Sequence, residues 1–536
     1  MNKKKQKFFL TGMIFVILIF AAVVRLYKLD RYPPQLNRDE AALAINALYI
    51  KQAAVDEWNV HSPLQFKSLG DYKLPGYIYL LAGLFQFQTN DFVVRLPAAI
   101  SGIVLIIISA LWLKQLFLTK QSGLFYLFFI LALSTAPFAI FYSRMAWEAN
   151  LALALMMSSL WLLHHRQYSF VKDITAVLIY VGAAMTYNSP FLLLPFFVLT
   201  IPLFRGVKQY KKWLLPVSLF ALVFVVIFKV FDQNNTQKSD ILFFKDANVL
   251  AEYPVYRNTL PTLLTPFLGS KYVYFAGIAV QHYIDTFLPN FLIIHGGQHP
   301  WHSILGQGHL YWTIYILFLV GVISQLWILQ ELFFAVKKKD IKKIRVLIFR
   351  LLPFFYLLIS PLPSIFTIDS PHATRSLFTF LMITVFAAIG FNSLQLFLTT
   401  QKRLIQQCGI GLLFAFLIFE SSRYVFQYFV VWPTQFSPDF QLGFLPVFTE
   451  LTVQHPTGNV GIIDLGWYMY VIVAWYEKIP ATEAIETIER SGPDTVGLYR
   501  VNHIGRYYFI YHDDDPFPDK KWLIFRDQMD GHWKLL

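Results

Sequence analysis

The sequence is poor in charge. Asp, Glu, Lys and Arg make up 14% of its 536 residues, against roughly 25% in soluble globular chains. Hydrophobic residues make up 56% and aromatic ones 18%, so there are too few ionic side chains to cover a soluble particle of this size. Length alone would suggest about three or four soluble domains. Hydropathy overrides that, because one bundle of membrane helices absorbs roughly 400 residues. Cysteine is almost absent. Cys408 alone, set in an apolar run, excludes disulfides within the chain and leaves the redox compartment unreadable. There is no internal repeat of fixed period and no low-complexity linker.

Acidic residues are outnumbered, giving a formal net charge of +13. Nucleic acid is not the partner implied, because the surplus sits in short loops between apolar runs. Those runs fall near 8–24, 95–117, 123–142, 146–164, 174–187, 190–204, 213–231, 309–330, 346–361, 376–398 and 404–420. Several approach or exceed about 18 residues, the length that argues for a membrane span. The first follows Met-Asn-Lys-Lys-Lys-Gln-Lys with no small-residue cleavage site after it, and reads as an uncleaved helix. The run Leu74 to Phe87 is too short for a comfortable span and reads as a helix lying in the outer interface.

Lysine placement sets the orientation. With Lys3, Lys4, Lys5 and Lys7 in the cytoplasm, the inside loops hold Lys114 and Lys120; Arg166 and Lys172; Arg205, Lys208, Lys211 and Lys212. Lys337, Lys338, Lys339, Lys342, Lys343 and Arg345, then Lys402 and Arg403, complete the inside set. The short outside turns near 143–146, 188–189 and 362–375 hold only Arg144 and Arg375. Counting 74–87 as a span would put the lysine-rich loops outside. Three long segments then lie outside: 25–94, 232–308 and the tail from about Ser421. The tail has strand-like runs at Val460–Ile463, Thr495–Tyr499, Tyr507–Tyr511 and Trp522–Phe525, a helical run around Ala481–Arg490, and a turn at Ser491-Gly492-Pro493. The expectation is an all-α polytopic membrane protein of about eleven spans over 1–420, with outer loops 25–94 and 232–308. An extracytoplasmic α/β domain follows over 421–536.

The span interiors are almost free of charge, whereas channels and transporters place unusual polar residues in mid-span. Here such residues cluster at outer helix ends and outer loops, which favours chemistry at the membrane–water boundary. Asn37-Arg38-Asp39-Glu40 precedes an alanine-rich helical run, with Asp39 at a position suited to capping or to general-base work beside Glu40. Gly70-Asp71-Tyr72-Lys73-Leu74-Pro75 opens the short interfacial helix. Lys73 there is placed to snorkel or to hold a phosphate near a helix N-terminus. Arg144 and Glu148, four residues apart, would share a helix face, either as an ion pair or with Glu148 holding Arg144 towards a ligand. In Asp369-Ser370-Pro371-His372-Ala373-Thr374-Arg375-Ser376, Ser370 suits an N-cap and Pro371 a first helical residue. His372 and Arg375 would then share the first turn as an anion site. His295-Gly296-Gly297-Gln298-His299-Pro300-Trp301-His302 has no cysteine or carboxylate among its histidines, so a substrate loop is preferred to zinc. In that loop His299, Trp301 and His302 would meet a sugar.

At these residues the sequence resembles the GT-C superfamily of membrane glycosyltransferases. It looks most like the branch (families 39 and 83) holding protein O-mannosyltransferases and the lipid A aminoarabinose transferase. The resemblance covers roughly 8 to 420. It rests on Arg38-Asp39-Glu40, Lys73-Leu74-Pro75, Arg95-Leu96-Pro97-Ala98, Ser143-Arg144 and Pro371-His372-Ala373-Thr374-Arg375. It implies an inverting transfer, on the outer side, from a polyprenyl-phosphate sugar to a lipid, glycan or protein acceptor. Asp39 would be the base, assisted by Glu40 or Asp71. Lys73 would hold the donor phosphate, with Arg144, Arg375 and His372 as further candidates. No cofactor is required, and a divalent metal is compatible. The aminoarabinose transferase has an acid directly before its lysine, whereas here Tyr72 intervenes and the acid is Asp71. By family likeness the membrane is a bacterial inner or plasma membrane, with the N-terminus cytoplasmic.

Two other readings are weighed. A lipid-linked oligosaccharide flippase or exporter would carry charges within spans and an internal repeat. A polysaccharide polymerase or ligase of another membrane fold would place its chemistry in a later loop.

Overall fold

The computed structural model describes residues 3–69, 71–117, 121–165, 169–206, 208–232, 241–304, 306–434, 441, 443–464, 468–493, 499–511, 522–526 and 533–535. Helix α1 (Lys3–Leu26) is followed by α2 (Arg38–Ala53), a hairpin of β1 (Phe66–Ser68) and β2 (Asp71–Lys73), and a short α3 (Pro75–Leu84). Next come α4 (Asp91–Leu116), α5 (Gly123–Thr135), α6 (Pro137–Arg144), α7 (Glu148–Leu163), α8 (Phe170–Ala184), α9 (Asn188–Val198), α10 (Ile201–Arg205) and α11 (Leu214–Asp232). Then follow α12 (Ala247–Thr259), α13 (Thr265–Leu268), α14 (Lys271–Asp285), α15 (Trp312–Lys337), α16 (Ile341–Ile359), α17 (Leu362–Ile365), α18 (Leu377–Leu398) and α19 (Arg403–Phe426). The C-terminal segment holds α20 (Phe444–Gln454), β3 (Val460–Ile463), α21 (Tyr470–Glu477), α22 (Ala481–Thr487), β4 (Glu489–Pro493), β5 (Tyr499–Ile504), β6 (Tyr507–Ile510), β7 (Trp522–Arg526) and β8 (Trp533–Leu535).

Every apolar run read from the sequence forms a helix or a helix pair. Among the described residues, six helical stretches are long and apolar enough to cross a membrane: Phe8–Leu26, Asp91–Leu116, Trp312–Lys337, Ile341–Ile365, Thr374–Leu398 and Arg403–Val431. Helices α5 and α6 pass the same test only together, as a pair bent by 48° that makes seven if it counts as one span. Pro137 explains the bend, since it supplies no N–H to the helical ladder. Helix α3, by contrast, has 10 residues. At 1.5 Å per residue it reaches about half of a ~30 Å hydrocarbon layer; α7, α9 and the apolar part of α11 are likewise shorter than a full span.

The chain forms two compact units. The first comprises 1–27, 98–143 and 148–427, and the second 28–97, 144–147 and 428–536. In the first, α15 and α18 pack backbone to backbone. A Cβ on Gly390 would lie 1.9 Å from the Leu317 carbonyl oxygen, and one on Gly321 2.1 Å from that of Phe386. Without a hydrophobic drive between helices in lipid, such close approach at small residues is what holds them together. Two buried arginines of this unit are held by polar partners. Arg25 donates to Ser143 Oγ and to the carbonyls of Ala21, Ser134 and Ala139, satisfying carbonyls around the α5–α6 break. Arg205 forms a buried ion pair with Asp173.

In the second unit a sheet of order β4-β5-β6-β3-β7-β8 has β3 parallel to both β6 and β7, with antiparallel strands outside. The expected α/β character of the tail is present, with two local differences. Residues 491–493 belong to β4 rather than to a turn, paired irregularly with β5. The helical run ends at Thr487. Most of the strand expected at 495–499 lies outside the described residues.

Candidate functional site

Within the second unit, chemistry gathers at the start of α2. Its N-cap is Asn37, not Asp39. Asn37 Oδ1 accepts the Glu40 N–H at 2.9 Å, and Glu40 Oε2 accepts the Asn37 N–H at 3.2 Å, a reciprocal capping box. The expectation of a capping role for Asp39 is thereby corrected. The first turn starts two residues earlier than a cap at Asp39 implies, because Asn37 followed three residues later by Glu40 satisfies two orphan N–H groups at once.

Glu40 is buried and fully engaged. Arg95 Nε donates to its Oε1 at 2.9 Å and Nη2 to its Oε2 at 3.0 Å. The Ala146 N–H adds a bond at 2.8 Å. Arg95 also donates to the carbonyls of Leu29, Pro33 and Gln35. This network fixes the strand of chain leading into α2 and therefore the position of Asp39.

Asp39 is one turn position away and partly exposed, with 26% of its side chain accessible. Lys73 Nζ donates to its Oδ1 at 3.0 Å. The β1–β2 hairpin places this lysine. Lys73 pairs with Phe66 across it, and Asn46 of α2 reaches Ser68. Two residues on, Pro75 opens α3 as the sequence implies. Asp71 faces Ser68 in the same hairpin, but its side chain lies outside the described residues. Arg144 ends α6, and residues 145–147 break the helix before Glu148 begins α7. The expected shared helix face of Arg144 and Glu148 is therefore not formed. Arg144 instead donates to the Tyr32 carbonyl at 2.9 Å and lies over the Phe429 ring at 4.6 Å.

In the first unit, a second cluster joins the histidine loop to the segment before α18. The expected helix start at Ser370-Pro371 is corrected: a 3-10 turn over Thr374–Ser376 leads into α18 at Leu377. His372 and Arg375 consequently do not share a helical first turn. They meet at Asp369. Arg375 pairs with Asp369 Oδ1 and donates to Thr367 Oγ1 at 2.8 Å. His299 Nε2 lies 3.3 Å and His372 Nε2 3.5 Å from Asp369 Oδ2. Burial alone would raise the Asp369 carboxyl, but the His299 hydrogen bond, the Arg375 guanidinium and His372 outweigh it and hold it well below the usual carboxylate range. Burial and then the Arg375 charge press the His372 imidazole below its ordinary value. Trp301 stacks on His299, with ring centres 4.8 Å apart, and His302 is buried with its ring 5.0 Å from that of His372.

Asp369 is the residue that sequence reasoning left without a role. It heads the quoted motif, and the signal available was an acid three residues before a histidine and six before an arginine.

The sequence matches no family model and no curated protein sequence. The structure is similar to solved membrane enzymes. One is the archaeal oligosaccharyltransferase AglB from Archaeoglobus fulgidus in complex with an inhibitory peptide and a dolichol-phosphate. There the identity is 13%, the TM-score 0.49 and the coverage 87% of this chain and 64% of that one. Another is ArnT from Cupriavidus metallidurans bound to undecaprenyl phosphate, with 12% identity, a TM-score of 0.46 and coverage of 88% and 85%. These neighbours are GT-C superfamily membrane glycosyltransferases. This chain thus spans less than two thirds of the length of the oligosaccharyltransferase.

Proposed function

We propose that the chain transfers a sugar from a polyprenyl-phosphate donor to an acceptor on the outer side of a bacterial inner or plasma membrane. The configuration at the anomeric carbon is inverted. The observation that carries this reading is the Asp39–Lys73 pair: a partly exposed carboxylate, released from capping by Asn37 and held at 3.0 Å by an ammonium beside the short helix α3.

In this scheme Asp39 takes the proton of the acceptor hydroxyl. The oxygen attacks the anomeric carbon from the face opposite the phosphate, and the bond to the phosphate oxygen breaks. Polyprenyl phosphate leaves with the electron pair, so its growing charge needs cations rather than a general acid. Lys73 and Arg144, both in the second unit, are the proposed cations for that charge; Arg375 and His372, the other candidates, lie in the first unit. Glu40, with both oxygens committed, acts by positioning Asp39. His299, Trp301 and His302 form the proposed substrate loop.

The test is to incubate the purified protein with a panel of polyprenyl-phosphate sugars and an envelope extract as acceptor. One donor should be consumed with release of polyprenyl phosphate. Consumption of none, or equal consumption by Asp39→Asn, would overturn the reading.

A further inference from the structure

The histidine loop lacks a carboxylate of its own, but the fold brings one to it. We propose that His299, Asp369 and His372 form a binding site for a divalent transition metal of the zinc type. The site lies wholly within the first unit and stands independently of the transfer reading.

Geometry is the first argument. Each of these residues offers one ligand atom, and the three atoms all lie within 4.8 Å of one another. The two shorter edges are 3.3 Å and 3.5 Å. Zinc bound to nitrogen and oxygen at about 2.0–2.1 Å gives a tetrahedral ligand–ligand edge of about 3.4 Å. Two of the three edges thus already match a tetrahedral face, and the third, between the two imidazoles, lies within 4.8 Å.

The donor set is the second argument. Two imidazoles and one carboxylate are the ligands of zinc sites that keep a fourth position open. Magnesium and calcium prefer oxygen donors throughout. Partial exposure of His299 and Asp369, at 29% and 20% of the side chain, leaves a path to that open position.

The third argument is the outer layer. Ligating histidines characteristically use their other ring nitrogen in a hydrogen bond that fixes tautomer and orientation. His372 Nδ1 lies 2.9 Å from Thr374 Oγ1, which in turn lies 2.8 Å from the Tyr187 hydroxyl. The backbone N–H of His372 donates to Ser364 Oγ at 2.8 Å. Asp369 divides its oxygens, with Oδ1 taken by Arg375 and Oδ2 facing both imidazoles. Trp301 fixes the His299 ring by stacking. Each ligand is thus oriented by a neighbour that does not itself compete for the metal.

The test uses the full chain in detergent, with any affinity tag removed and metal stripped by a chelator. Titration with Co²⁺ should give one equivalent bound with the intense visible absorption of a tetrahedral ion, and Zn²⁺ should displace it. His299→Ala and His372→Gln should each weaken Co²⁺ binding by more than about 100-fold. Thr374→Val should weaken it by roughly 10- to 100-fold, as loss of an outer-layer partner does. His295→Ala, at an exposed position of the same loop, should bind as the parent does. Thermal unfolding of the metal-free proteins shows whether each variant is folded. His299, being the most exposed ligand, is the change that the fold tolerates best. Stoichiometric binding that survives both His299→Ala and His372→Gln, or no binding by the folded parent, overturns the site.

Discussion

Asp39 and Lys73, 34 residues apart in the chain, meet at 3.0 Å between Oδ1 and Nζ. The pair makes the two simplest roles of Asp39 separable by experiment, because Asn37 rather than Asp39 caps α2. Asp39→Asn should leave the melting temperature within a degree or two of the parent and reduce sugar transfer by about 10²- to 10⁴-fold, the range for loss of a general base. Asn37→Ala should do the reverse, costing about 1 kcal/mol of stability with transfer largely retained. Turnover and thermal melting of the two variants side by side check this. Near-normal turnover by Asp39→Asn would remove it from the chemistry.

Lys73→Ala and Arg375→Ala should each weaken use of the lipid donor by roughly 10- to 100-fold, as loss of a charge-assisted contact implies. The measurement is transfer rate against donor concentration. Arg375 also anchors Asp369, so Arg375→Lys is the informative companion. It keeps the charge but loses the planar fork, and should recover only part of the rate.

Glu40 and Arg95 are both buried. Removing one partner strands a charge, and Glu40→Ala or Arg95→Ala should each cost about 3–5 kcal/mol. The double replacement should cost less than the sum of the two. Denaturation midpoints in detergent report the coupling, and strict additivity would show that the two side chains act separately.

The long apolar helices were legible because each carries an uninterrupted run of membrane-spanning length, which no tertiary contact needs to complete. The cap of α2 was misplaced by two residues, since Asn37 and Asp39 are both good caps and only the Glu40 side chain decides between them. Arg144 and Glu148 were misread because spacing of four implies a shared face only if the helix continues, and residues 145–147 break it. The Asp369 cluster was illegible for a different reason. Its ligands come from segments 70 residues apart, and no local pattern records that closure.

Glu57 gives a pH signature. Burial raises its carboxyl above the usual range, although Arg490 and the Ser68 and Tyr470 hydroxyls oppose the rise. Tyr470 donates to its Oε2 at 3.0 Å. An acid whose folded value exceeds its unfolded one, near 4.3, contributes stability that is complete below the unfolded value. That stability is lost as pH rises through the folded one. Glu57→Gln cannot ionise and keeps an oxygen for Tyr470. Its stability relative to the parent should therefore increase from about pH 4 towards neutrality, read from denaturation midpoints across that range. A gap that does not change with pH would show that Glu57 is not ionising.

Gly390→Val should abolish recovery of monodisperse protein, because the Leu317 carbonyl occupies the place a Cβ would take. Gly411→Val, at a glycine with open space around it, is the control and should purify normally. Size-exclusion profiles in detergent distinguish them.

The histidine loop is clasped at its base. The N–H groups of Gly308, His309 and Leu310 donate to the carbonyls of Ile293 and Leu292, each at 2.8 Å. Such a clasp makes the intervening residues a cassette. The register of α14 and α15 is set by the clasp and not by the loop between them, and Gly306, with open space around it, is where an inserted residue would meet least. A change in the reach of the loop is thereby kept from the two helices that carry it, whose spacing the clasp alone sets.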